Sequence, residues 1–229
     1  MKKFLKRNEI YFTTISSFFL SGMAIIVSWI SIDVSKKQYE LDYFEKSPDF
    51  QIQEVFYTNP KTQFVTDSKL IFTKVSGKAK NIHIDIITLV DLELTNRGNE
   101  SVNKIFKLDN YYNLNFLSGR ITDTIQMSTG KENHSMFVDF QRNIENRLEE
   151  KYQYAFCDLK TYVKMSFLNF ENKKKNEYYQ INSFTGEIMN DTIVVSKYFD
   201  LKSEINHSLK RINLNKIDEM DLSKLVKSI

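Results

Sequence analysis

Residues 10–32 form an unbroken apolar segment that constrains the fold more than any other part of the chain. The twenty-three residues, IYFTTISSFFLSGMAIIVSWISI, include no Asp, Glu, Lys, Arg or His. As a helix this segment is about 34 Å long, enough to cross the ~30 Å hydrocarbon core of a bilayer. It is too long for the apolar region of a cleavable signal peptide, and a charged, helix-like segment follows it. The sequence therefore predicts a single, uncleaved transmembrane anchor.

Tyr11 and Trp29 are predicted to lie at the two membrane interfaces. They are eighteen residues apart, which is about 27 Å along a helix axis and matches the two aromatic belts. Four basic side chains precede the span and three follow it closely: Lys2, Lys3, Lys6 and Arg7, then Lys36, Lys37 and Lys46. This small excess favours a cytoplasmic amino terminus in the cell membrane, with the body exported.

A seam of small and polar residues runs along one face of the predicted helix. Its spacings alternate between three and four residues: Thr14, Ser17, Ser21, Ala24, Ser28, Ser31, Ser35 and Gln38. Because small faces let helix backbones approach closely in lipid, we predict that this face packs against another membrane helix, from a second copy or a partner. In the alternative, each serine hydroxyl bonds the carbonyl four residues earlier and the face meets lipid.

The composition of the remaining chain is that of one folded domain. Over all 229 residues, hydrophobic residues make up 41% and charged residues 27%, so the body can form a core and is not a disordered tail. Outside residues 1–9, 28 Lys and Arg balance 28 Asp and Glu, which argues against a nucleic-acid-binding protein. Cys157 is the only cysteine; it predicts no disulfide framework and, within an apolar run, a core position.

Hydrophobic periodicity divides the chain. Helical periodicity continues to about Glu45, and Pro48 disfavours helix at Ser47. From Asp49 the period changes to two. The predicted order is a basic tail (1–9), a transmembrane helix (10–32), a helical stalk (33–48), a β-sandwich domain (49–198) and a C-terminal helical segment (199–229).

Residues 81–95 give the clearest strand pattern. One parity is apolar, interrupted only by Thr88: Ile82, Ile84, Ile86, Val90, Leu92 and Leu94. The opposite parity carries His83 and Asp85 among other polar residues. This predicts a half-buried strand of an antiparallel sheet, with a bend or a split near Thr88. Further strands are expected at 50–57, 70–75, 111–117, 121–127, 136–140 and 193–195, and a hairpin from 159–167 and 177–184.

Helices are expected in three further places. Residues 143–152 form one, and a face of Leu201, Ile205, Leu209 and Ile212 with Asp200 as N-cap forms another. The third runs from 217 to 226. The last two are predicted to pack on the sandwich or on a neighbouring subunit; alternatively, they form a free amphipathic tail that docks a partner.

Three short motifs resemble those of small single-pass bacterial membrane proteins of unknown function. The motifs are Gln38-Tyr39-Glu40-Leu41 in the stalk, Ser47-Pro48-Asp49-Phe50 where the body begins, and Leu94-Thr95-Asn96-Arg97-Gly98 at a turn. The resemblance covers roughly the first 110 residues. It implies an N-terminal anchor helix joined to an immunoglobulin-like β-sandwich, and it brings no active site with it.

The sequence contains no catalytic motif of the hydrolase, P-loop, metalloprotease or dinucleotide-binding kind. His83 and Asp85 share a strand face and form the pair best placed to hold a metal or relay a proton. Alternation on a wet face often produces such pairs without function. We therefore predict no enzymatic activity, no cofactor and no metal, whereas a cleft that gathers His83 and Asp85 would favour an enzyme.

Aromatic residues are the better candidates for contact groups, because the chain has 18 Phe and 12 Tyr. In Tyr111-Tyr112 and Tyr178-Tyr179, neighbouring rings on a strand face opposite sides, so one of each pair should be exposed. Exposed aromatic patches often mark interfaces, although single surface tyrosines are also common. The predicted partner-binding residues are Tyr112, Tyr178, Leu222 and Leu225.

These features predict a non-enzymatic, membrane-anchored interaction, sensing or assembly protein. Its β-sandwich binds a protein partner, and its transmembrane helix associates with other membrane helices. The alternative is a membrane-active effector whose Ser-lined helices oligomerise into a pore. Expression of residues 1–46 alone should depolarise cells if they form a pore and be harmless if they only anchor.

The helix-packing hypothesis is testable by enlarging the seam. Replacing Ser21 and Ala24 with Leu fills the space that lets a neighbouring helix approach, so self-association or partner co-purification should weaken. Both are measured on detergent-solubilised membranes. Unchanged association in both assays would favour the alternative in which the hydroxyls bond their own helix.

Overall fold

The computed structural model describes residues 2–115, 124–130, 132–146, 152–182, 185–190 and 192–216. The chain divides into two compact units, Met1–Ser47 and Pro48–Ile229. The first unit is helical and the second is mainly β. The domain boundaries predicted above remain a prediction, although the division falls inside the Ser47-Pro48 motif.

The first unit consists of α1 (Lys2–Arg7) and the long helix α2 (Glu9–Lys46). The predicted effect of Pro48 is confirmed, because Ser47 takes the extended backbone that a following proline requires. The Ser47 hydroxyl also donates to the Tyr43 carbonyl at 2.7 Å and covers the helix end.

Among the described residues of the second unit, ten strands form one mixed sheet in the order β10-β4-β3-β7-β8-β9-β1-β2-β6-β5. The strands are β1 (Asp49–Thr58), β2 (Val65–Ser76), β3 (Lys80–Asn96), β4 (Ser101–Asp109), β5 (Asn113–Asn115), β6 (Thr124–Thr129), β7 (Tyr152–Leu168), β8 (Lys174–Asn182), β9 (Thr185–Ile188) and β10 (Lys210–Asn213). The helices are α3 (Asn133–Asn146), α4 (Ile193–Phe199) and α5 (Glu204–Ser208), with a 3-10 turn at Leu214–Lys216. The expected antiparallel sheet is corrected at one edge, where β10 pairs parallel to β4.

The sheet curls back on itself. Phe50 of β1 and Phe167 of β7 are three strand positions apart, which is about 14 Å in a flat sheet. Their ring centroids nevertheless lie 5.1 Å apart. Between the two halves lies a buried cluster of Phe50, Ile52, Leu70, Phe72, Ile84, Val163, Met165, Phe167 and Tyr179.

A second buried cluster fills the other end of β3 and β7, under α3. The helix contributes Phe137, Phe140 and Ile144, whose spacings of three and four place them on one face. This corrects the strand predicted at 136–140, since a short apolar run alone does not separate strand from helix. Residues 143–146 end α3; most of the rest of the helix predicted to 152 lies outside the described residues, and Tyr152 begins β7.

Thr88 divides the two clusters without breaking the strand. β3 is continuous, and its register with β7 is unshifted from His83 to Thr95, so the predicted split is wrong, whereas the alternative of a bend stays a prediction. The Thr88 hydroxyl instead bonds that of Thr161 across the ladder at 3.2 Å, with both residues buried. A satisfied polar pair interrupts the apolar face while the backbone ladder remains intact.

The elements predicted after residue 159 are partly confirmed. The predicted hairpin is confirmed as β7–β8, with register from Thr161–Ile181 to Leu168–Lys174. The strand predicted at 193–195 is wrong, because these residues begin α4. The helical face predicted through Ile212 is also wrong, because α5 ends at Ser208 and Ile212 enters the core from β10. The helix at 217–226 lies outside the described residues.

The N-cap predicted for the last described α-helix also changes. Asp200 follows the last residue of α4 as its C-cap. Ser203 caps α5, and its hydroxyl accepts a hydrogen bond from the Ile205 backbone N–H at 3.2 Å.

The Thr88–Thr161 pair gives a stability test. Thr88→Val leaves a buried hydroxyl without its partner and should cost about 1–3 kcal/mol of unfolding free energy, whereas Thr88→Val with Thr161→Val should be nearly neutral. Thermal unfolding of the full-length protein in mild detergent, followed by circular dichroism, measures both. A double variant at least as unstable as the single one would contradict this account.

Candidate functional site

The surface of α2 is the first candidate site. The helix from Thr13 to Lys46 contains an 18-residue window of mean hydropathy 1.9, and none of that window is buried against the protein. Among the described residues, it is the one helix long and apolar enough to cross a membrane. Removing apolar surface from water contributes about 25 cal/mol per Å². This surface therefore favours an apolar environment outside the chain.

The predicted helix residues all fall within α2. The packing seam (Thr14, Ser17, Ser21, Ala24, Ser28, Ser31, Ser35) and the interfacial pair (Tyr11, Trp29) have exposed side chains. The Ser28 hydroxyl donates to the Ala24 carbonyl at 2.7 Å and the Ser31 hydroxyl to the Val27 carbonyl at 2.8 Å. The protons of these two hydroxyls are thus used within their own helix, as in the alternative interpretation. Packing at this face would depend on small side-chain volume.

The second candidate site is a groove of about 510 Å³ on the sheet. It is lined by Asn81, His83, Asp85, Lys164, Ser166, Phe167, Leu168 and Lys174. The β3–β7 register explains the grouping, since His83 lies opposite Ser166 and Asp85 opposite Lys164. Asn81 has a positive φ of 53°, and the register shifts between Lys80 and His83. The structure therefore does place His83 and Asp85 in one groove.

The groove contains a histidine–carboxylate pair and a serine, and the serine hydroxyl bonds another residue. His83 Nε2 lies 3.1 Å from Asp85 Oδ1, with the side chains 72% and 41% exposed. The Ser166 hydroxyl donates to Asn176 Oδ1 at 2.8 Å, whereas a nucleophile must share its proton with the base. Within the described residues there is no group of three or more His, Cys, Asp or Glu that could hold a metal.

Basic side chains outnumber acidic ones in the lining of the groove. Lys164 and Lys174 contribute two positive charges against the one carboxylate of Asp85. Neither lysine, nor Ser166, was predicted as a site residue. The pairing of β3 with β7 would have revealed them, because it brings together residues about eighty positions apart. Neither strand's own sequence shows which strand it pairs with.

Tyr112 belongs to a polar cluster and is not an exposed ring. Its hydroxyl donates to Glu54 Oε1 at 2.6 Å and lies 2.8 Å from the Ser68 hydroxyl. Burial first, and the Glu54 charge second, raise the pKa of Tyr112 well above its usual value. The expected alternation fails because Tyr111 and Tyr112 precede the strand that begins at Asn113. Both rings turn inward, in an edge contact with centroids 4.9 Å apart.

Tyr178 is also covered. Its ring is half-buried and lies 5.9 Å, centroid to centroid, from Phe199 of α4, while Tyr179 on the other face is buried. Helix α4 thus packs on the face where an exposed tyrosine was expected. Leu222 and Leu225 lie outside the described residues, and the role of all four residues in partner binding stays a prediction.

Comparison with known proteins adds no assignment to these sites. No protein-family model matches the chain, and no curated protein is similar to it. The candidate sites therefore rest on the geometry of the residues alone.

Cys157 offers a test of core packing. Burial first, and the Glu145 carboxylate second, raise the pKa of its thiol to about 12. Because the thiolate is the reactive form, labelling by a maleimide at pH 8 should be about three orders of magnitude slower than for a free thiol. Unfolding in denaturant should restore it. Rapid labelling of the native protein, read by mass spectrometry, would contradict the packing of this partly buried thiol against the core.

Proposed function

We propose that this protein is a single-pass membrane-anchored interaction protein whose β-rich body binds a protein partner. The exposed apolar surface of α2 carries the proposal, because such a helix is stable only when lipid or another helix surrounds it. The proposed orientation places the amino terminus in the cytoplasm and the body outside the cell membrane.

The proposed body is an immunoglobulin-like β-sandwich. The curl of the sheet supports it, because β1 and β2 close over β3 and β7 around a shared apolar cluster. The groove beside His83 supports a binding role, and its two lysines favour an acidic group on the partner. Anchoring raises the effective concentration of this body for other membrane proteins.

A catalytic role has one observation in its favour, the shared groove of His83, Asp85 and Ser166. We expect purified protein to hydrolyse an activated ester no faster than the His83→Ala variant, because the Ser166 proton goes to Asn176. A rate that falls with both His83→Ala and Ser166→Ala would establish an enzyme and overturn this part of the proposal.

Anchoring is tested by charging the span. Leu20→Arg with Met23→Arg places two arginines near the centre of the segment at about 2.5–3.5 kcal/mol each, so the protein should lose membrane integration. Leu41→Arg with Phe44→Arg is the matched control, with the same spacing in the stalk, and should remain integrated. Extraction of membranes with alkaline carbonate measures both. Wild-type protein in the carbonate supernatant would sink the anchor proposal.

A further inference from the structure

The apolar surface of α2 does not end where the span ends. In the stalk, Val34 is 48% and Leu41 64% exposed, and they lie one heptad apart with Gln38 between them. We call Val34, Gln38 and Leu41 the stalk seam. Spacings of four and three put the three side chains on one face of the helix. In water, such a face is covered only by another apolar surface.

The stalk seam continues the pattern of the span. Going back from Leu41, the spacings of three and four persist through Leu41, Gln38, Val34, Ser31, Val27, Ala24, Leu20 and Ser17. Small or polar residues alternate with large apolar ones, so in parallel helices in register layers of paired Leu or Val side chains alternate with layers of small or polar residues, which let the backbones approach. The helix is continuous over the whole range. A partner that covers the stalk seam therefore also meets the predicted packing seam.

Charges beside the seam identify the partner. Lys37 and Asp42 flank the seam on opposite sides and are five residues apart. In parallel helices in register, a flanking residue of one helix meets the residue five positions further along its neighbour. Lys37 then meets Asp42 of a second copy, and symmetry makes the contact twice. Copies of one single-pass chain inserted the same way are parallel and at equal depth.

The pairs within a single helix leave these charges available. Lys37 lies 2.9 Å from Asp33, and Lys46 lies 2.9 Å from Asp42. All four side chains are about half or more exposed, and exposed pairs of this kind contribute little. Lys37 and Asp42 can therefore interact with a second copy without breaking a buried ion pair.

We propose that α2 forms a parallel two-stranded coiled coil with a second copy of this chain, through the stalk seam and its continuation into the membrane. The proposal rests on the anchor proposed above and names its partner helix. Homodimerisation presents two copies of the body at one point on the membrane.

Single-cysteine cross-linking tests the dimer in intact membranes. In a Cys157→Ser background, Val34→Cys and Leu41→Cys should give a cross-linked dimer with a short bismaleimide. Lys36→Cys and Tyr43→Cys, on the opposite face, should give almost none. Equal cross-linking at all four positions, or none at any, would overturn the proposal. So would cross-links at 34 and 41 to a protein of another mass.

Charge reversal separates a second copy from an unrelated helix. In the Leu41→Cys protein, Lys37→Glu puts like charges at the contact and should lower the dimer yield about fivefold. Adding Asp42→Lys should restore it, although the swap makes both pairs within each helix repulsive. Failure of the swap to restore cross-linking would refute the parallel register.

Carbonate extraction of the same variants distinguishes the two proposals. Variants that stay in the membrane and show no facial pattern overturn the dimer and leave the anchor standing. Variants found in the carbonate supernatant would instead refute the anchor, and the dimer inference would fall with it.

Discussion

The pairing of β3 with β7 is the interaction on which the rest of the body depends. These are the two longest strands, 17 residues each, and their ladder runs from Lys80–Leu168 to Asn96–Tyr152. One half of its inner face is closed by β1 and β2 and the other by α3, which gives two cores on one ladder. The same ladder sets His83 opposite Ser166 and so builds the groove. Such pairing of distant segments is slow to form and carries a large loop-closure cost.

Sequence patterns predicted what neighbouring residues determine. The apolar span, the end of the helix before Pro48, the strand at residues 81–95 and the β7–β8 hairpin are all local in origin, and the structure contains each of them. The alternation of the strand is interrupted at residues 87–90, which are all buried. Residues 136–140 and 193–195 were misassigned, because a short apolar run fits a strand or a helix until its packing partner is known. Ile212 reached the sheet through the free edge of β4, which no local pattern reveals.

In the candidate sites too, contacts between residues close in sequence were predicted and contacts between distant strands were not. His83 and Asp85 were predicted as a pair because they are two residues apart on one strand, and they do interact. Ser166, Lys164 and Lys174 come from the other side of a long-range pairing and were not predictable. The predicted exposure of Tyr112 was wrong because the strand begins only at Asn113, so side chains before it need not alternate between two faces. These geometric relations are the basis for the proposed binding role of the groove.

The uninterrupted course of α2 has a mechanical consequence. No proline lies within the helix, and its last fourteen residues, 33–46, extend about 21 Å beyond the apolar segment. In the proposed membrane anchor, this continuous helix would pivot where it leaves the bilayer surface. The ordinary tilt of about 20° displaces its far end sideways by about 7 Å. Because bilayer thickness influences the tilt, it would set how far Lys46 is displaced sideways from the point where the helix leaves the membrane.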